Sequence, residues 1–441
     1  MIILKNAKMI NFHPANVKEN VDIIIDGNKI VDFGETVSSK YKGDKVIDLK
    51  GKLVSPGIVC SHNHFYSMLS RGIMAKINPS EDFISVLKNL WWKLDRALDE
   101  ESLYYSGITG ALEAIKCGTT SVIDHNASPS YIQGSLNLLK KGFEEAGLRG
   151  ILCYEVTDRN GEVEALEGID ESVNFIDLVN KEKKNNPDNH LVEAAFGGHA
   201  PFTLSNLTLK MISEKLERTD KGIHFHVAED AYDVSYSHHF YGKDIVKRLE
   251  DFGLLNDKTI LVHGVHLNDS DIEILNKHDG FLVHNTRSNM NNSVGYMSKL
   301  NKVKNGALGT DGIGSNMFDE MKFAFFKNAD AKGKISMDDV FKLLDNGNQI
   351  LNRYFDMKFG RIEKGYAADL VIYDYNAPTP LVKENIQGHL IFGFESHDVE
   401  TVIINGKVVY EDRAFPFDTN EIYKKSRSSA KKLWAQMDKL V

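Results

Sequence analysis

A chain of 441 residues with 53 Lys+Arg, 62 Asp+Glu and a formal net charge of -9 is long enough to bury an ample core. Its acidic balance excludes the clustered basic face that a nucleic-acid binder needs. Cys60, Cys117 and Cys153 form an odd set with no CxxC pair, which excludes a disulfide framework and a zinc ribbon. The start of the chain has no cationic segment leading into a long apolar run, and no stretch reaches the roughly 18 apolar residues of a membrane span. A cytoplasmic protein with neither membrane nor nucleic acid among its partners is expected.

Near the amino terminus, VDIIIDGNKIVD at 21–32 sets Asp26-Gly27 between two apolar β-branched runs, which suits a tight hairpin turn. The middle of the chain then alternates. Short apolar runs recur at 57–60, 120–124, 150–155, 192–196, 222–227, 259–262, 281–283 and 307–308, and helical spacing fills 101–117, 132–147, 206–218 and 269–278. Eight strands interleaved with helices predict parallel βα units, either a closed (β/α)8 barrel or an open doubly wound sheet. The barrel is preferred because nearly every run ends in polar residues: His62 and His64, Asp124 and His125, His199, His226 and Glu229, His263, Asn285, Asp311. In a barrel those ends share one mouth, whereas an open sheet would string them along an edge. After the Gly-rich turn at 360–365, LVIYDYN reads as a strand, and VETVIINGKVVY at 399–410 repeats the hairpin pattern around Asn405-Gly406. These like ends predict one shared β-domain, so 1–55 and 360–441 bracket a barrel of residues 56–359. A charged amphipathic helix over 420–439 ends the chain.

SHNHF closes the first barrel strand. Residues two apart on a strand face the same way, so His62 and His64 project together, although an HxH pair alone reads equally well as two ordinary histidines. His226 in HFHVAED and Asp311 in LGTDG complete three imidazoles and a carboxylate, a catalytic metal set that leaves a position for water. Glu229, three residues past His226, is the candidate proton shuttle, a role that needs a carboxyl group moved towards neutrality by burial. His263 in LVHGVH either ligates a second metal or polarises the attacking water. The fourth strand, VEAAFGGHA, has no lysine to bridge two ions, so one divalent metal is assigned, zinc with iron as the alternative, and His263 takes the water. Cys60 shares a face with His62 and His64 and packs beneath the metal. Trp91-Trp92 is core or a stacking surface for a planar substrate. Arg71 in LSRG offers an anchor for an anionic or carbonyl group, against a surface arginine. Asn289 offers a contact to a heterocycle edge, against an ordinary Asn-rich turn.

The order HxH, HxxE, VHG and LGTDG resembles the amidohydrolase superfamily, specifically its mononuclear deaminase-like branch of ATZ/TRZ-type enzymes and guanine and cytosine deaminases. PGIVCSHNHF looks like that branch's first-strand motif. HAPFTLS at 199–205, HNTRSNMNNSVG at 284–295 and GRIEKGYAADLVIYD at 360–374 look most like the SsnA-type aminohydrolases. The resemblance covers essentially the whole chain. It implies a distorted (β/α)8 barrel with a small β-sandwich built from both termini, and hydrolysis at a carbon–nitrogen bond. By position, His62, His64, His226 and Asp311 resemble the metal ligands, Glu229 and His263 the acid/base pair, with Asp311 sharing in proton handling, and His199 a substrate-facing histidine. His125, the His238-His239 pair and Arg287 depart from the family pattern, and His125 joins His199, Asn289 and Arg71 as a candidate substrate contact. The expected activity is deamination of a purine- or pyrimidine-like heterocycle by water activated on the metal. A cyclic amide or ureide ring-opening hydrolase is the alternative, and a catalytically silent metal-binding scaffold a third reading. Homo-oligomerisation is left open.

Overall fold

The structure is a computed structural model that describes residues 1–440. The chain opens with five strands: β1 (Ile2–Asn11), β2 (Asn16–Asp26), β3 (Lys29–Gly34), β4 (Lys45–Asp48) and β5 (Leu53–Pro56). Nine short strands follow among the helices: β6 (Ile58–Asn63), β7 (Thr119–Asn126), β8 (Arg149–Tyr154), β9 (Val192–Ala194), β10 (Phe196–Gly198), β11 (Ile223–Val227), β12 (Ile260–His263), β13 (Phe281–His284) and β14 (Gly306–Leu308). Their side chains are buried throughout, as expected of parallel strands covered on both faces, which read as apolar runs rather than as alternation.

These nine strands form two parallel arcs, β6-β7-β8-β9 and β10-β11-β12-β13-β14. The run expected as one fourth strand is split at Ala195, whose N–H donates to Leu152 of one arc while the Phe196 N–H donates to Gly222 of the other. Gly197 permits this junction, since a Cβ there would meet the Tyr154 carbonyl at 2.1 Å. At the opposite seam, the Thr310 and Asp311 N–H groups donate to the His62 carbonyl at 2.9 and 3.1 Å. Helices cover the arcs. The helix Glu100–Lys116 starts on a capping box between Asp99 and Ser102. Ser135–Ala146 begins later than the spacing suggests because Gly134, at φ 84°, turns left-handed just before it.

The last strands, β15 (Leu370–Tyr373), β16 (Val399–Ile404) and β17 (Lys407–Tyr410), join the first five in one eight-stranded sheet of order β17-β16-β15-β5-β1-β2-β3, with β4 beside β1. The β16–β17 turn falls on Asn405-Gly406, both at positive φ, as the sequence predicts. The β2–β3 turn falls on Gly27-Asn28, one residue later than predicted, because Asp26 pairs with Lys29 and stays in the strand. The two turns abut: a Cβ on Gly406 would lie 1.9 Å from the Gly27 carbonyl. Ile23, Ile25, Leu370, Ile372 and Ile403 from both chain ends share one apolar cluster. The sheet is tied to β8 by Arg149, whose buried guanidinium pairs with Asp369 at 2.8 Å and donates to Asn405 at 3.1 Å. The final helix, Asn420–Met437, buries Leu433 and Met437, and its Trp434 indole donates to the Leu69 carbonyl at 3.0 Å. Among the described residues no helix is long and apolar enough to cross a membrane.

Candidate metal centre and its cavity

The polar strand ends converge. His62 and His64 leave β6, His226 leaves β11 and Asp311 follows β14. The Nε2 atom of His226 lies 3.2 Å from that of His62 and 3.2 Å from that of His64, while Asp311 Oδ1 lies 3.5 and 3.0 Å from the same two nitrogens. Each imidazole is fixed from behind. His64 Nδ1–H donates to the His125 carbonyl at 2.7 Å and His226 Nδ1–H to the His199 carbonyl at 2.9 Å. A neutral ring that donates from Nδ1 presents a lone pair at Nε2, so these lone pairs face one another. His62 Nδ1 meets His224 Nε2 at 2.9 Å, and His224 Nδ1 rests against Cys153 Sγ at 3.4 Å, extending the same arrangement one layer deeper.

Converging lone pairs repel unless a cation lies among them. Four ligands around a small tetrahedral ion at about 2.0–2.1 Å are separated by about 3.3 Å, which the 3.0–3.5 Å spacings match. Burial holds His62 and His226 well below their usual pKa, as neutral ligands require. For His64 burial opposes the charge too, but Asp311 outweighs it and lifts the ring to about 9. A cation at the centre would take the place of the proton on His64 Nε2, and a divalent metal fits the set of three imidazoles and one carboxylate. His263 and Asp311 are non-glycine residues at positive φ, 70° and 52°, where strained backbone aims side chains at a functional site.

Beside this centre His263 Nε2 lies 3.5 Å from Glu229 Oε2 and 4.0 Å from Asp311 Oδ2. Burial pushes the Glu229 carboxyl up to about 7, against the pull of His263. Ser288 Oγ–H donates to Asp311 Oδ2 at 2.5 Å. Above lies a cavity of about 340 Å³ whose floor includes His64, His226 and Asp311 and whose walls include Trp92, Glu155 and His199. His199 accepts from or donates to Thr203 Oγ1 through Nδ1 at 2.8 Å, and burial lowers its pKa to about 3, so it meets a ligand as a neutral ring.

Two residues expected at the substrate, His125 and Asn289, occupy other places, and a third, Arg71, lies at the rim with its guanidinium already paired. His125 sits behind the ligands, its Nε2 between the Gly198 and His224 carbonyls at 3.2 Å each and its Nδ1 3.3 Å from Glu155, so it faces protein rather than the cavity. Asn289 also lies off the cavity wall; its Oδ1 accepts from His263 Nδ1–H at 2.8 Å and so leaves His263 Nε2 as the acceptor that faces Glu229. Arg71 reaches the cavity rim, but Glu113 holds its guanidinium bidentately at 2.6 and 2.7 Å. Trp91 and Trp92 both line the cavity, and Cys60 Sγ packs against Thr310 Oγ1 at 3.1 Å. His238 and His239 lie on the helix Ala231–Tyr241, where His238 pairs with Asp244 at 2.8 Å.

Sequence reasoning passed over several members of the site. His224 shares the two-residue spacing of HFH with His226, so the signal that found His62 and His64 was present. Arg159 pairs with Asp95 at 2.6 Å and Glu155 at 3.1 Å and lies 5.0 Å from the Trp92 ring, forming a buried charged wall. Glu155 ends a predicted strand, but Asp95 comes from a helix between β6 and β7 and carries no local motif.

A family model described as "Amidohydrolase family" matches residues 53–409. The chain belongs to the amidohydrolase family. This makes it a hydrolase acting on carbon–nitrogen bonds, as the motif order implied. It is 34% identical over 425 residues to a 5-methylthioadenosine/S-adenosylhomocysteine deaminase of Thermococcus sibiricus, covering 92% of this chain and 93% of the relative. It is 29% identical to a 5'-deoxyadenosine deaminase of Methanocaldococcus jannaschii, covering 97% and 98%. Among solved structures, an adenosine deaminase from Xanthomonas campestris with bound zinc superposes with a TM-score of 0.84 at 22% identity, over 98% of each chain, a likeness of fold. The closer likeness to SsnA-type enzymes rests on the sequence phrases alone.

Proposed function

We propose that this amidohydrolase is a mononuclear, zinc-dependent deaminase that releases ammonia from the purine ring of an adenosine-type nucleoside. The observation that carries this reading is the placement of Glu229 Oε2 and His263 Nε2, 3.5 Å apart, beside the convergent ligand set at a cavity floor. His62, His64, His226 and Asp311 would hold the ion, and zinc suits three imidazoles and one carboxylate with a position left for water. When bound, the metal supplies a Lewis acid that brings the pKa of water towards neutrality. The names of the relatives support a 5'-thio- or 5'-deoxy-substituted adenosine as the substrate. The likeness to the zinc-bound deaminase and the single parallel bridges Asn63–Asp311 and Val156–Gly198 support closure of the two arcs into one distorted (β/α)8 barrel. On this reading the barrel is 56–359, and 1–55 with 360–441 make up the β-sandwich and final helix.

His263, its Nδ1–H committed to Asn289, orients the attacking water through Nε2. Glu229 takes one proton from that water and delivers it to the ring nitrogen next to the attacked carbon. It then relays the second water proton to the exocyclic amine, whose bond to carbon breaks as ammonia leaves, while Asp311, held by Ser288, keeps its carboxylate towards the same point. His199 faces the ring as a neutral hydrogen-bonding group. The test is an ammonia-release assay with adenosine, 5'-methylthioadenosine, 5'-deoxyadenosine and S-adenosylhomocysteine. Release of ammonia with conversion of the amino group to an oxo group is expected. No turnover of any of the four, or a mass gain of one water without ammonia, would overturn the reading.

A further inference from the structure

The segment Ser288-Asn289-Met290-Asn291-Asn292 touches each of the three groups placed beside the metal centre. Ser288 donates to Asp311, Asn289 accepts from His263, and Asn292 Nδ2 donates to Glu229 Oε1 at 3.2 Å. The orientation of the Asn292 amide is fixed by its neighbours. Its Nδ2 also lies 3.4 Å from Ser288 Oγ, whose own proton is committed to Asp311 Oδ2, so Ser288 can only accept there. On the other side Asn291 Nδ2 donates to Asn292 Oδ1 at 3.1 Å.

We propose that Asn292 is a positioning residue that makes Glu229 Oε1 a permanent acceptor and so assigns the shuttled proton to Oε2. An N–H donated to Oε1 favours the proton on the other oxygen, because the hydroxyl oxygen of a protonated carboxyl group is the weaker acceptor. The other oxygen lies 3.5 Å from His263 Nε2, on the side of the carboxyl group where water and ring nitrogen meet. Both proton transfers therefore use one oxygen and require no rotation of the carboxyl group between them. Through Ser288 the same amide is linked to Asp311, so the acid/base group and the carboxylate of the ligand set are held in one register.

This inference rests on the deaminase reading for its consequence in turnover but not for its geometry, so the experiment has two arms. The near-isosteric Asn292→Asp replaces the donor by an acceptor, and Asn292→Ala removes it. In the metal-loaded enzyme the Glu229 carboxyl band is read by infrared spectroscopy as the difference between native protein and Glu229→Gln. The band is expected to shift in both Asn292 variants, and an unshifted band in both overturns the proposal whatever the turnover. With 5'-methylthioadenosine as probe, kcat is expected to fall about tenfold in Asn292→Ala, the worth of one hydrogen bond, and further in Asn292→Asp, with KM held within about twofold. An unchanged kcat, or a loss confined to KM, also overturns it. A shifted band without turnover by the native enzyme supports the positioning and refutes the substrate assignment instead.

Discussion

Replacing Glu229 by glutamine separates proton transfer from every other role at the site. The side chain is buried, so its shape matters, and the amide preserves it. Glutamine Oε1 can still accept from Asn292 Nδ2, now at 3.2 Å, and its amide nitrogen can meet His263 Nε2, 3.5 Å from Oε2 in the native enzyme. The four proposed ligands are untouched, so metal content should be unchanged. What is lost is a group that both takes and gives a proton. A positioned acid/base contributes at least about a hundredfold, or about 2.7 kcal/mol of barrier, so kcat should fall by no less than that. The pH profile carries a second signature. Glu229 must be ionised to take the first proton, so the rate rises with pH through its pKa. That pKa is raised from 4.5 to about 7 by burial, and a nearby cation pulls it down. The acid limb should therefore lie at or below about 7 in the native enzyme and vanish in Glu229→Gln. Ammonia release and elemental analysis on the same preparations provide the measurement, with His62→Ala as the variant expected to lose the metal. A metal-loaded Glu229→Gln enzyme of native activity would refute the argument and move the proton to His263.

Asp369→Ala leaves the Arg149 guanidinium buried without its carboxylate and should cost about 3–5 kcal/mol in urea denaturation; a loss under about 1 kcal/mol would mean that the sheet is held by its apolar cluster alone. Burial would raise the Glu193 carboxyl, but His190, Lys221 and Lys183 prevail and hold it at about 2. Its folded value lies below the unfolded 4.5, so its stabilisation is complete above about pH 4.5 and is lost as pH falls towards 2. The stability difference between native protein and Glu193→Gln should shrink over that window, and a pH-independent difference would contradict the pairing. Chelation should lower the melting temperature, because a ligand of the folded state at a thousand times its Kd contributes about 4 kcal/mol; an unmoved transition after verified metal loss would mean that the ion adds nothing to the stability of the fold.

The convergent set proposed to hold the metal was legible because its members sit on strands with short-range signatures: two-residue spacing for His62 and His64, and a polar residue at the end of an apolar run for His226 and Asp311. Parallel strands advertise themselves by being apolar on both faces, and the eight runs read that way. The roles of Asn289 and His125 were not legible. Both are polar residues near the mouth in sequence, but the side of the ring they approach depends on how two arcs meet, and both turn towards His263 or Glu155 rather than the cavity. Arg71 does reach the cavity rim, but its pairing with Glu113 was not legible, since that partner lies 42 residues away on another element. The split at Ala195 escaped periodicity because each half remains apolar, while the break is set by Gly197 fitting against Tyr154.

The same hydrogen bonds that join the strands also aim the ligands. The His62 carbonyl accepts from the Thr310 and Asp311 N–H groups, which fixes the first strand against the last and carries Asp311 to the metal centre in one step. The His199 carbonyl accepts from both the His226 N–H at 2.9 Å and His226 Nδ1–H at 2.9 Å, so the backbone register of β11 against the end of β10 and the ring orientation have one acceptor in common. The His125 carbonyl orients His64 from the neighbouring strand. A one-residue slip at any of these seams would turn a ligand to the opposite face, so the metal geometry and the strand register cannot vary independently. The proton-handling groups are tied differently. Glu229, His263 and Asp311 share the 288–292 segment, which lies beyond β13 at the end of the short helix Thr286–Asn291 and pairs with no strand, so it can change without altering the register. Substitutions at Asn289 and Asn292 should therefore alter turnover while sparing metal affinity, whereas substitutions at Ser288, which holds Asp311, and at the seams should alter both together.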